Sequence, residues 1–448
     1  MVREAHIDRL KQSDDFIHEQ LNNGIFPIEV MYYFSLCDQS MIKQEIAHPY
    51  LLSLSPEAFE QVLHAALTCQ DLPPDVDLAP SLLDKSVIIK LQGKYYSIKA
   101  AKQTNDQPSD AVTETTLQGP QSAFSESAET NLNIIRKRYP TADLVAEKCK
   151  LGRVTQTTSF LIYDAERTDP GLLKDLKRRI RDIDADVVQS AGQMEALLSK
   201  RKYSWLPTML VTERPDRVVL NLSQGKIILM LDGNPFVLIL PAVFFDFISA
   251  MDDIYQTYFV TRAFLLLRYI SILITVTLPS LYIAIVSYNP EILKVQLALS
   301  IAGSRAAVPF PSFLEVLFML FMIEALIEAS LRLPRYIGAT ATTVGGLILG
   351  QAAQMAGLVS SIMIIVTSVV AIANFLIPIN AMSFGIRLAK YPMILLASCF
   401  GLVGVISGMF AFALFVVNKR SFGRPYFQLF LGEQNASGYK HRKAGAAD

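Results

Sequence analysis

The sequence predicts a cytoplasmic α/β or α+β N-terminal region followed by a polytopic α-helical transmembrane domain. Three observations carry that reading. Apolar residues are spread unevenly over the 448 positions: ordinary globular sequence runs to about residue 230, and long apolar stretches then dominate from about Phe236 to Val417. Strand-like and helix-like periodicities alternate in the first half. The N-terminus, MVREAHIDRLKQSDDF, has no apolar core of a cleavable export signal, so the soluble half is expected on the cytoplasmic side.

Residues 1–101 read as a mainly helical module. HIDRLKQSDDFIHEQL and PEAFEQVLHAAL show helical spacing, and Ser55-Pro56-Glu57 is a good helix start. SVIIKLQGKYYSIKA alternates around Gly93 and predicts a hairpin. The polar stretch from Lys102, KQTNDQPSDAVTETTLQGPQSA, predicts a linker over 102–124. A second α/β module is expected over 125–234. ETNLNIIRKRY predicts a helix, and TTSFLIYDAE, ADVVQS and KIILMLDG predict strands. GLLKDLKRRIRDI predicts an amphipathic helix with Leu172, Leu173, Leu176 and Ile180 on one face. Its basic run, Lys174, Lys177, Arg178, Arg179 and Arg181, reads as a solvated helix face, with anionic lipid headgroups or RNA as the alternative.

Residues 235–418 read as the transmembrane domain. Four segments are long and apolar enough to span: Ala263–Ser287, Phe313–Pro334, about Ser360–Pro378 and about Tyr391–Val417. Two shorter ones, Pro235–Ile248 and Thr343–Ser360, fit either short spans or interfacial and re-entrant elements. In the second, Gly346, Gly350, Ala353 and Gly357 form a small-residue stripe suited to close helix packing. Gln351 and Gln354 lie on the neighbouring face, which lipid would not welcome. The basic residues of 419–448 favour a cytoplasmic tail, hence an even number of spans: four with a re-entrant segment, or six.

Balanced charge, 41 basic and 41 acidic residues, gives no case for nucleic acid. The five histidines show no zinc spacing. Cys37, Cys69, Cys149 and Cys399 form no CxxC and read as reduced thiols inside a cell. No P-loop, strand-borne GxGxxG or GxSxG occurs, so neither enzyme chemistry nor a cofactor is expected.

The chemistry lies in FLEVLFMLFMIEALIEASLRLP, where Glu315, Glu324 and Glu328 interrupt an apolar run. A carboxylate at mid-bilayer costs roughly 2.5–3.5 kcal/mol, so it must face protein or water. Glu324 and Glu328 share a helix face that Arg332 continues. Three readings fit: a structural ion pair with Arg268 or Arg332, a face lining a water-filled path shared by several subunits, or a protonatable pair in a proton-coupled carrier. Glu315 falls near the membrane edge, where its cost is small.

DGNPFVLILPAVFFDF, LPSLYIAIVSYNPEIL, VPFPSFLE, RLPRYIG, GQAAQMAG and RSFGRPY, in this order, resemble the GerA family of spore germination proteins, in particular the A subunits of nutrient germinant receptors. NLNIIRKR and TERPDRV extend the resemblance over nearly the whole chain. Ala306-Ala307 stand where the family more often has an acidic residue and Gly, and Ile327 occupies a slot that often holds Arg. The resemblance implies an integral protein of the spore inner membrane that works with a transporter-like B subunit and a C-subunit lipoprotein. It implies assembly as a homo-oligomer, a pentamer, into a nutrient-gated ion channel. Alternatives from other classes are a secondary transporter and a non-conducting scaffold for other germination proteins.

Overall fold

The structure is a computed structural model. It describes residues 10–428 apart from 66–68, 74–76, 103–109, 112, 115, 117, 200–204 and 334.

The first module is built on an antiparallel sheet, not on helices. β1 (Phe16–Asn22) and β2 (Pro27–Tyr33) form a hairpin over part of the stretch that helical periodicity had claimed. In so short a segment the two periods overlap, and turn chemistry decides. Asn23 Oδ1 accepts from the N–H groups of Ile25 and Phe26 at 3.0 and 3.1 Å, and Gly24 takes φ +84°. That Asx turn reverses the chain. The helix α1 (Pro56–Ala65) and the hairpin of β4 (Ser86–Leu91) and β5 (Lys94–Lys99) form as expected. β3 (Cys69–Leu72) pairs with β5 and closes the sheet in the order β1-β2-β4-β5-β3.

The second module repeats that plan. Helix α2 (Ala128–Arg138) precedes β6 (Leu144–Leu151) and β7 (Thr157–Asp164). Then come α3 (Pro170–Arg181), α4 (Ala191–Leu198), β8 (Leu210–Thr212), α5 (Pro215–Ser223), β9 (Ile227–Leu231) and β10 (Val237–Leu240). The antiparallel order is β6-β7-β9-β10-β8, the same permutation as in the first sheet. Both modules run strand, strand, two helical segments, strand, helix, strand, strand. ADVVQS is not a strand: Val188 is buried in an irregular stretch, and Ser190 caps α4 by accepting from Gln193 N–H at 3.2 Å. The segment 235–248 lies in this module rather than in the helical region. β10 is an interior strand covered on both faces, which is why it reads as an unbroken apolar run.

The described part of the expected linker is docked rather than free. Arg214 donates to the Glu114 and Pro120 carbonyls at 2.9 Å each, and Arg217 pairs with Glu114 at 2.6 Å. Asp15 and Arg136, both fully buried, form a 2.6 Å ion pair that joins the two modules. The basic run of α3 is paired in part within the module, Lys177 to Glu147 of β6 at 2.6 Å and Arg179 to Asp175 at 2.7 Å.

Alternation along β9 sends Leu229 and Leu231 to a core under α3 and α4, and Ile228 and Met230 to a core under α2 and α5. The second core continues into the helical region. That region comprises α6 (Tyr258–Ser287), α7 (Val295–Arg305), α8 (Ser312–Leu331), α9 (Arg335–Met355), α10 (Ser361–Phe375) and α11 (Asn380–Asn418). The segment read as Thr343–Ser360 is thus a 21-residue helix followed by a turn. α6 and α11 are long and apolar enough to cross a membrane.

α11 is not one rod. Gly401 has φ +58° and ψ −134°, and the chain doubles back there. Gly404 lies on the Leu396 carbonyl and Gly408 on Met393. At the open end, Gly385 of one arm and Phe415 of the other both meet Trp205. The single span expected over Tyr391–Val417 is therefore a helical hairpin with arms 380–400 and 402–418. These two arms join α6, α8, α9 and α10 in the helical region. Its end returns to the second module: Lys419 donates to the Leu206 carbonyl, Ser421 to that of Thr208 at 2.9 Å, and buried Tyr426 packs between Phe244 and Phe247. Residues 429–448 of the expected tail lie outside the described residues.

Gly404→Ala and Gly408→Ala separate backbone from side-chain crowding in this hairpin. At 404 the new methyl meets a carbonyl that cannot move aside, and overpacking costs about 1–3 kcal/mol. At 408 it meets the flexible Met393 side chain, and the loss is smaller. Thermal unfolding of detergent-extracted protein should rank 404 well below 408.

Candidate functional site

α8 carries the three glutamates at the N-terminal end, the middle and the C-terminal end of an apolar helix, and each meets a different environment. Glu324 reaches α11. Its Oε1 accepts from Lys390 Nζ at 2.7 Å and Arg387 Nε at 3.2 Å, and a second guanidinium nitrogen of Arg387 approaches Oε2. Lys390 is fully buried and Arg387 nearly so, while Glu324 is 22 % exposed. One carboxylate thus serves two cations. Of the partners expected from sequence for Glu324 and Glu328, Arg332 is taken by Glu328 and Arg268 by neither. Arg268, at the foot of α6, pairs with Asp253 and donates to the Ile248 carbonyl at 3.1 Å. Arg332 pairs with Glu328 at 2.7 Å, one turn away, and both are largely exposed.

The signal for Arg387 and Lys390 was present in the sequence. They are three residues apart in an apolar helix and so lie on one face, yet they read there only as flanking charges. The sequence could not say that α8 and the first arm of α11 come together.

Glu315 was underrated. It is completely buried, and its Oε1 accepts from the backbone N–H of Ser360 at 2.7 Å and from Ser360 Oγ at 2.6 Å. Ser360 is the N-cap of α10, so the carboxylate sits at the positive end of that helix. Arg305 of α7 lies 3.4 Å from Oε2, and Tyr282 of α6 donates to it at 3.4 Å. Four helices meet on this one side chain.

The small-residue stripe is divided. Gly346 packs on Leu326 of α8, and Ala353 is buried. Gly350 faces open space. Gly357 lies beyond the helix end, where φ +67° makes the turn into α10 against the Ala307 carbonyl. Gln351 and Gln354 are exposed on the outer side of α9.

Two consequences for stability can be measured by thermal unfolding in detergent. Glu324→Gln strips the shared counter-charge from two shielded cations and should cost about 3–5 kcal/mol, while adding Lys390→Met should recover part of the loss. Glu315→Ala leaves the Ser360 donors unpaired at a buried helix end and should cost about 1–3 kcal/mol, with Glu315→Gln milder.

Residues 5–441 match the model of the Bacillus/Clostridium GerA spore germination protein. The chain is 33 % identical to spore germination protein KA of Bacillus subtilis, over 89 % of this chain and 75 % of that protein. It is 38 % identical to spore germination protein B1 of the same organism, over 73 % of this chain and 67 % of that one. With spore germination protein A1, also of Bacillus subtilis, identity is 32 % over 94 % and 88 %. Among solved structures, the N-terminal domain of the A subunit of the Bacillus megaterium spore germinant receptor GerK3 aligns at a TM-score of 0.40 and 24 % identity, covering 54 % of this chain and 93 % of that one. A match over nearly the whole length, with relatives of this kind, means that the chain belongs to the GerA family of spore germination proteins, among their A-type subunits.

Proposed function

We propose that the chain is the membrane subunit of a spore nutrient germinant receptor and forms an oligomeric, ligand-gated cation channel. In this reading α6, α8, α9, α10 and the two arms of α11 are six spans of a polytopic domain in the spore inner membrane. Both soluble modules and residues 419–428 then lie on one side, the spore core. The partners are a transporter-like B subunit, a C-subunit lipoprotein and further copies of this chain.

The observation that carries the reading is the state of α9. From Thr343 to Met355 its only buried residue is Ala353, and within the chain it packs chiefly on α8. Its outer side carries Gln351 and Gln354 beside exposed Leu347 and Ile348. Amide groups at bilayer depth need protein or water. Neighbouring copies closing over α9 meet that need and leave a polar strip between subunits. Glu324 is engaged by Arg387 and Lys390, so it acts as a lock. The carboxylate open to passing cations is Glu328, which pairs with Arg332 but is 60 % exposed.

The test is ion flux from liposomes holding the purified protein with its partner subunits, together with particle images that count copies. Glu328→Ala should slow cation flux while the assembly persists, and Glu324→Ala should disrupt the assembly itself. An assembly that stays intact but passes no ions when its partners are stimulated would leave the scaffold reading in its place.

A further inference from the structure

The two soluble modules share one topology, but they treat the same edge strand differently. β8 closes the second sheet with Leu210 and Thr212 buried. β3 closes the first with no buried residue at all: Gln70 and Asp71 are exposed, and Cys69 and Leu72 are half-buried. Hydrophobic packing that fastens one edge is thinner at the other, where only half-buried Cys69 and Leu72 lean on the core. In its place stand three side chains of unlike chemistry. The period of a strand sends Cys69 and Asp71 to the same face of β3. The last turn of α1 brings His64 to them. The imidazole nitrogens, the thiol sulfur and the carboxylate oxygens include one atom each that lie within 4.8 Å of one another, and His64 Nε2 is 3.7 Å from Asp71 Oδ1.

We propose that His64, Cys69 and Asp71 bind a zinc(II) ion that clamps α1 to the edge strand β3. Bond lengths of about 2.0–2.3 Å in a tetrahedron place ligand atoms about 3.4–3.8 Å apart. The His64–Asp71 separation is within a few tenths of an ångström of that, and Cys69 needs a shift within rotamer reach. The nitrogen, sulfur and oxygen donor set suits zinc and excludes magnesium and calcium, which take oxygen alone. Water completes the fourth position. The surroundings hold the ligands in place. Tyr96 meets the His64 ring edge-on with centroids 5.7 Å apart, and its hydroxyl donates to Glu60, one turn earlier on α1, at 2.6 Å. Glu60 also pairs with Lys94 at 2.7 Å, which fixes that turn of the helix to β5. Burial and the charge of Asp71 push the Cys69 thiol upward, and a dication reverses that preference by binding the thiolate.

Zinc titration of tag-free, full-length protein in detergent, in competition with a chromophoric chelator, reads the site directly. One equivalent should bind, and the unfolding midpoint should rise. Cobalt(II) in place of zinc should show a thiolate-to-metal absorption band. Cys69→Ser should abolish that band, and His64→Ala and Asp71→Asn should each weaken zinc at least about tenfold. Cys149→Ser, a thiol on β6, should change nothing. All three ligands are at least partly exposed, so these variants are expected to keep their fold. Failure to bind an equivalent of zinc, or binding that survives Cys69→Ser unchanged, overturns the proposal. Neither result bears on ion conduction.

Discussion

The arrangement of the helical region hangs on one carboxylate placed between two cations. α10 and α11 each pack along α6, which forms the spine of an apolar frame. The hairpin of α8 and α9 has little apolar contact with α11. α8 buries Val316, Met319 and Leu320 against α6 and α10, and its ionic fastenings are Glu324 on Lys390 and Arg387, with Glu315 on Ser360 at the far end. Desolvated charge is costly to separate, so each contact tolerates little drift. Apolar surfaces slide past one another at small cost, and ion pairs do not. The hairpin's register is therefore sharpened by its polar residues, while much of the described part of α9 stays exposed.

Sequence patterning foretold the parts of this architecture that depend on local chemistry. The β4–β5 hairpin, α2, α3, β7 and β9 follow from alternation, caps and amphipathic spacing within ten residues or so. Asp169, for instance, caps α3 by accepting from Gly171 N–H at 2.9 Å. Elements whose pattern comes from their place in the fold were misread. β10 is apolar because a core covers each of its faces, Val237 and Ile239 on one and Leu238 and Leu240 on the other, which made it look like a membrane segment. β1 and β2 gave up a plausible helical period to an Asx turn. Gly401, Gly404 and Gly408 could be read as packing glycines, but only a positive φ at the first reveals that the helix reverses.

The candidate site was half legible for the same reason. That acidic residues inside α8 are sheltered follows from solvation alone. Which cations shelter them depends on which helices touch, and periodicity is silent on that. Glu315 shows the limit most sharply. Distance from the middle of a span suggested a cheap, exposed position, yet a loop and a helix start fold over it and bury it completely. The duplication of the soluble half also escaped the sequence. It is carried by strand order and element order rather than by shared residues.

The hairpin of α11 is fastened at both feet. One arm begins, and the other ends, against Trp205 and the segment beside β8, and the chain then anchors Tyr426 in the same module. A rod tethered at one end can piston. A loop tethered at both can only rock about its base. The Gly401 tip is held as well, by Tyr288 just past the end of α6, so the hairpin is pinned at its feet and at its turn.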